Sequence, residues 1–183
     1  DRETGDRAPV WSSDGRRVFF ATRGPSDRLE RIDVIDIESG QRKTAVATGW
    51  DPAPSPDGSF LFFVSIDEAP PNRPRIFAMR LTDSKICAIT DGSVFEGIPR
   101  AAKTSQGVAV VFARFVDDKT GDGIADGADP ASLWATVFDP KVFDGTPIPV
   151  DKPLTSSADN EIFGAPLDDW FVYTAFGAAD FDL

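Results

Sequence analysis

Ala53-Pro-Ser-Pro-Asp-Gly-Ser-Phe-Leu-Phe-Phe-Val-Ser65 joins a sharp turn to a strand built for burial. Pro56 presets φ at the first corner, the Asp57 carboxylate can accept from amides just ahead of it, and Gly58 takes the positive φ that side chains resist. Phe60, Leu61, Phe62, Phe63 and Val64 are apolar at consecutive positions. Both faces of this strand therefore need cover, unlike those of a strand with one wet side, and layers are expected on both sides of its sheet.

The same order recurs where Pro9-Val-Trp-Ser-Ser-Asp-Gly15 leads into Arg16-Arg-Val-Phe-Phe-Ala-Thr22. Gly15 and Gly58 stand 43 residues apart. A period of about 40–50 residues carrying four strands is the sequence mark of a β-propeller blade. A third copy, Gly97-Ile-Pro-Arg-Ala-Ala-Lys-Thr-Ser-Gln-Gly107 followed by Val108-Ala-Val-Val-Phe-Ala113, has Gln-Gly in place of Asp-Gly. A fourth is compressed into Phe163-Gly-Ala-Pro-Leu-Asp-Asp169 and Trp170-Phe-Val-Tyr-Thr174. The repeats predict an all-β fold of four-stranded antiparallel blades, about three and a half of them, over 8–48, 52–90, 97–155 and 163–183. The inner strand of the third blade is expected to be degraded, near 98–101, and its outer strand to fall within 148–154.

Ser55-Pro-Asp-Gly58 before a hydrophobic strand, with Val34-Ile-Asp-Ile-Glu-Ser-Gly40 or Ile76-Phe-Ala-Met-Arg-Leu-Thr82 behind such strands, resembles the TolB-type propeller repeat, a WD40-like Pro-Asp-Gly repeat. The resemblance spans most of the chain. It implies the fold and leaves the activity open, because this repeat serves envelope scaffold proteins, the propellers of prolyl-oligopeptidase-type serine peptidases and some sugar-acid lyases. The metal-binding histidines of those lyases have no counterpart here, since the chain contains no histidine.

Composition bounds the function further. With Lys+Arg 19 against Asp+Glu 30 the net charge is −11, which argues against nucleic acid and anionic membrane surfaces, both bound through Lys and Arg. No apolar run approaches the roughly 20 residues that span a bilayer. The chain opens on Asp1, so it is expected to be a processed or partial product that continues past Leu183 or is completed by other chains. Cys87 is the sole cysteine; within Lys85-Ile-Cys-Ala-Ile-Thr90 it reads as a small buried hydrophobe.

The stretch richest in chemistry is Asp118-Lys-Thr-Gly-Asp-Gly-Ile-Ala-Asp-Gly-Ala-Asp129, inside a loop insertion over 117–130. Asp118, Thr120, Asp122, the Ile124 carbonyl, Asp126 and Asp129 stand at positions 1, 3, 5, 7, 9 and 12 of a calcium loop, and Gly123 at position 6 allows its sharp turn. The pattern resembles the calcium loops of thrombospondin type 3 repeats and dockerins. Thr120 departs from the usual Asp or Asn, and Asp129 from the bidentate Glu of an EF-hand. Calcium bound here would be structural, and the alternative is an acidic, glycine-rich hairpin loop without metal.

In a propeller blade, the connection from second to third strand leaves the same end as the connection to the next blade. That end gathers 24–28, 67–74, the acidic loop and the interblade segments near 49–52 and 91–97. Loops on a rigid frame are where binding commonly resides, so this end is expected to be the partner face, with Trp50, Arg73, Arg75 and Phe95 as contacts. Each of the four also reads as blade packing or solvated charge.

Catalysis has little support. Without histidine there is no Ser-His-Asp or Cys-His arrangement, and no Gly-x-Ser-x-Gly elbow or phosphate-binding glycine loop occurs. Adjacent carboxylates such as Asp67/Glu68 and Asp168/Asp169 point to opposite faces if they lie on strands. The reading is a non-enzymatic, protein-binding propeller scaffold, calcium-dependent, in a bacterial envelope or periplasmic assembly. The alternative is the gating propeller of a serine peptidase whose catalytic domain lies outside this segment.

Overall fold

The computed structural model describes residues 5–24, 27–66, 73–155, 160–167 and 170–176. The sequence expectations for Asp67/Glu68, Asp168/Asp169 and the end of the fourth blade over 177–183 lie outside those residues.

Three antiparallel sheets of four strands follow one another, each in simple sequential order, and a pair of strands follows them. The first blade is β1 (Arg7–Trp11), β2 (Arg17–Thr22), β3 (Arg31–Asp36) and β4 (Arg42–Val46). The second is β5 (Trp50–Pro54), β6 (Phe60–Ile66), β7 (Pro74–Arg80) and β8 (Ile86–Ala88). The third is β9 (Phe95–Thr104), β10 (Gly107–Phe115), β11 (Ser132–Phe138) and the two-residue β12 (Lys152–Pro153). β13 (Asn160–Leu167) and β14 (Trp170–Phe176) form the pair.

Burial explains why this order packs. β6 is buried from Phe60 to Ser65, as its continuous apolar run requires. Leu61 and Phe63 meet Phe19, Ile32, Val34 and Val46 of the first blade. Phe60, Phe62 and Val64 meet Val110, Phe112 and Phe138 of the third, with Phe138 set edge-on to both Phe60 and Phe62 at centroid distances of 4.9 and 5.0 Å. A third cluster of Ala113, Phe115 and Ala131 receives Ile162 of the last pair. Each buried Phe contributes roughly 1.5–3 kcal/mol through area removed from water, and truncating one leaves a cavity as well.

The turns behave as their residues dictate. Gly15 and Gly58 adopt φ of 67° and 72°, while Asp14 and Asp57 accept from the amides of Arg16 and Ser59. The inner strand of the third blade is not degraded: β9 runs for 10 residues. It contains an irregularity that the other blades share. Ala8, Asp51 and Ile98, each followed by proline, hold φ near +50°, and at each the register slips by one residue. Proline has no N–H for the ladder, and a bulge sets two residues against one, so these strands continue past their prolines.

A 3₁₀ turn over Pro140–Asp144 was not expected from the sequence. Asp139 caps it by accepting from the Lys141 amide, and Gly145 closes it at φ 88°. It lies in the link between β11 and the outer strand, and that strand falls within the expected 148–154 but is only the two residues of β12.

Candidate functional site

Each blade's β2–β3-type connection and its link to the next blade leave the same end of the sheet, and this rim carries the acidic loop. At the rim Arg7 ties the first two blades together: Nε and Nη2 donate to Glu30 at 2.8 and 2.5 Å, and Nη1 donates to Asp51 at 2.9 Å. The Glu30 carboxylate outweighs desolvation and raises the Arg7 pKa above its ordinary value.

Arg73 and Arg75 brace one interblade segment. Arg73 Nη1 donates to the Ser93 carbonyl at 2.5 Å, and Arg75 Nη1 donates to the carbonyls of Thr90 and Asp91 at 3.2 and 3.4 Å. Gly92, at φ 69°, lets the chain pass there, since a Cβ would lie 2.8 Å from Arg75 Cδ. Trp50 is half-buried against the cluster between the second and third blades. Phe95 stands edge-on to Phe115 at 5.3 Å. All four residues lie toward this rim; Trp50 packs between blades, Phe95 packs on its cross-strand neighbour within the third blade, and the two arginines support a loop. Exposed apolar surface is supplied instead by Ile124, which the sequence reading used only for its carbonyl; its side chain is 61% exposed at the tip of the acidic loop.

The acidic loop between β10 and β11 is folded onto its own amides. Asp118 accepts from Gly121 and Gly123 at 2.6 and 2.7 Å, and from the Thr120 hydroxyl at 3.3 Å. Asp122 accepts from Ile124 and Asp126 from Ala128. Asp129 is fully buried and anchors both ends: Oδ1 accepts from Lys119 and Thr120 at 2.8 Å, and Oδ2 from Asp126 at 3.1 Å. The Thr120 and Asp126 amides hold the Asp129 carboxyl below its ordinary range. Gly123 has the positive φ, 90°, that its position demands. Among the described residues no three carboxylates stand together as a ready-made cation cage. A carboxylate has about four acceptor positions, so Asp118, Asp122 and Asp126 keep lone pairs beyond those facing the amides.

Beneath the rim lies a buried ion network that the sequence reading missed. Arg114 Nε donates to Glu96 Oε1 at 3.0 Å, and Nη2 donates to the same oxygen and to Asp151 Oδ2, the latter at 2.5 Å. The guanidinium lies over the Trp134 ring at 4.3 Å. One cation serves two carboxylates, so burial wins on both acids and raises the pKa of Glu96 and of Asp151. The signal was present: an arginine near the end of Val108-Ala-Val-Val-Phe-Ala-Arg-Phe115 needs a buried anion. Cys87 is half-buried, and burial pushes its thiol up to about 11.

Solved structures with this arrangement of blades are numerous. TolB from Acinetobacter baumannii superposes with a TM-score of 0.68 over 97% of this chain and 39% of that one, at 18% identity. The fold is a partial β-propeller of the TolB-like kind. A putative TolB from Agrobacterium tumefaciens gives 0.71 over 97% of this chain and 57% of its own, at 17% identity. The TolB-like propeller of this chain is also similar to a prolyl endopeptidase, at 0.60 over 94% of this chain and 25% of that one, with 14% identity. The chain thus spans less than two thirds of these proteins. No protein-family model matches the sequence, and no curated protein matches it.

Proposed function

We propose that this chain belongs to a non-enzymatic, protein-binding propeller scaffold that works within a larger assembly of the bacterial periplasm or envelope. The observation that carries this reading is the rim: the long 116–131 connection projects from a rigid frame of packed blades and holds Ile124 out to solvent. The likeness to two TolB structures supports the placement. The partner contacts the rim through Arg73 and the Ile124 loop, with Trp50, Phe95 and Arg75 holding the surface in shape.

The acidic loop is proposed to bind calcium. Asp118, Thr120, Asp122, the Ile124 carbonyl, Asp126 and Asp129 supply hard oxygens in the number that calcium takes. Binding turns the exposed carboxylates inward from amides they already share, and Asp129 holds the two ends of the loop together. Calcium would fix the rim loop in one shape. Modest sites of this kind suit calcium-rich surroundings outside the cytoplasm.

Capture of partners from an envelope extract tests the reading. Arg73→Glu together with Ile124→Asp should weaken recovery of a bound protein while the melting temperature stays close to that of the wild type. Recovery of every partner at wild-type levels would sink it. The likeness to a prolyl endopeptidase favours one second reading, a gating propeller beside a hydrolase domain outside these residues. Peptidase activity in the full-length protein, lost on treatment with a serine-directed inhibitor, would decide for it.

A further inference from the structure

A groove of about 500 Å³ opens on the first blade, at the end opposite the loop rim. Its walls include Asp14, Arg16, Arg17, Val34, Asp36 and Lys43. Strand register identifies the same place in the second blade. Arg17 lies across from Asp36 as Phe60 lies across from Arg80, and Lys43 across from Val34 as Cys87 lies across from Ala78.

In the second blade that place is filled by a peptide segment. The 3₁₀ turn of the third blade packs Val142 and Phe143 into the cluster containing Phe60, Ala78 and Cys87. Phe143 stacks on Phe60 with centroids 6.0 Å apart, and Arg80 lies over the Phe143 ring at 5.0 Å. The second blade has only a tight hairpin between β7 and β8, closed by Arg80 N donating to the Lys85 carbonyl at 2.9 Å, and it sends no such turn back. The hollow on the first blade therefore stays open, and the positions held by Phe60 and Cys87 carry Arg17 and Lys43 instead.

The acids in the groove are already engaged. Asp14 accepts from the Ser12 hydroxyl at 2.6 Å and the Arg16 amide at 3.0 Å; Asp36 accepts from the Ser39 amide and hydroxyl at 2.8 and 2.7 Å. Arg17 approaches Asp14 only to 3.7 Å. Arg16 and Lys43 are exposed and form no ion pair among the described residues. Lys43 by itself would be an ordinary charge guarding an edge strand. Arg16 and Arg17 reach the same groove from a different hairpin, so the three cations converge. Charges beyond about 8 Å are screened at physiological salt, so the local field is set by the groove's own charges, Arg16, Arg17, Arg42 and Lys43 against Asp14 and Asp36, a cationic excess, rather than by the chain's net −11.

We propose that this groove binds a short acidic peptide segment of a partner protein, seated as residues 140–144 are seated on the second blade. The proposal rests on the protein-binding reading and deepens it by naming a second contact and its chemistry. The test is fluorescence anisotropy with a labelled octapeptide of alternating glutamate and glycine, and with its lysine counterpart, titrated with the full chain. The acidic peptide should bind and the basic one should not. Arg16→Glu with Lys43→Glu should weaken binding about tenfold, and the melting temperature should hold because both side chains are exposed. No binding, equal affinity in the double variant, or full displacement by inorganic phosphate at matched ionic strength would overturn the proposal. Partner capture through the rim is read separately with the Arg73 and Ile124 variants, so a failed titration here leaves that reading standing.

Discussion

Asp33 faces Phe20 across the β2–β3 pair at the place where the second blade sets Phe77 against Phe63. A carboxylate thus occupies the repeat position of an aromatic ring, and it is buried. It is held by Arg31 Nε at 3.0 Å, Arg42 Nε at 2.8 Å and the Thr44 hydroxyl at 3.0 Å, while Arg42 also lies 4.6 Å over the Phe20 ring. On the side of the first blade away from the second, the ion cluster of Asp33, Arg31 and Arg42 consequently covers Phe20.

Asp33→Ala should destabilise the fold by about 2 kcal/mol in denaturant unfolding. That is less than the 3–5 kcal/mol of a fully buried pair, because Arg31 and Arg42 keep 31% and 38% of their side chains in water. Burial pushes the Asp33 carboxyl up, but the bonds from Arg31, Arg42 and Thr44 together outweigh it and lower its pKa. A lowered folded value means stability that is present above the unfolded value near 3.9 and is lost as pH falls through the folded one. Melting temperature should therefore fall with pH below about 4 in the wild type, and less steeply in Asp33→Asn.

Glu96→Ala strips Arg114 of its shared anion in a site where the arginine is 9% exposed, and should cost about 3 kcal/mol or more. Glu96→Gln separates charge from shape. Because burial raises the Glu96 pKa, its linkage runs opposite to that of Asp33: the contribution is present below the unfolded value and is lost as pH rises through the folded one. The Gln variant should flatten that loss in the range just above ordinary glutamate titration. Parallel pH–stability curves for the two proteins would contradict this.

Calcium in the 117–130 loop should appear in calorimetry as a higher melting temperature, removed by a chelator and absent from Asp122→Ala. An unchanged wild-type midpoint on chelation would count against the metal. Asp129→Ala should loosen the loop with or without calcium, because it removes the acceptor of three backbone amides.

Cys87 should resist alkylation in the folded protein at pH 7–8 and react at an ordinary rate once unfolded. Its thiol, pushed up to about 11, supplies almost no thiolate at that pH. Rapid labelling of the native chain would show that β8 opens.

Much of the fold was legible because its signals are local. Pro56-Asp-Gly58 fixes a turn by backbone preference, and the Phe60–Val64 run demands cover on both faces, so the starts of β6 at Phe60 and of β14 at Trp170 were legible. The inner strand of the third blade was read too short at both ends, near 98–101, because the bulge that carries β9 past Pro99 depends on pairing with β10 and leaves no local signal. The spacing of the acidic loop was readable as well; the burial of Asp129 was not, because it depends on how the loop closes.

Turns, strand order and the period of blades follow from side-chain and backbone preferences over a few residues, and so could be read from the chain alone. Which charged side chains meet could not. Arg114 finds Glu96 and Asp151, 18 and 37 residues away, and Arg16, Arg17 and Lys43 share a groove only because one blade sends a turn back onto its neighbour and another does not. Such contacts depend on register and on the packing of whole sheets, which no short stretch of chain encodes.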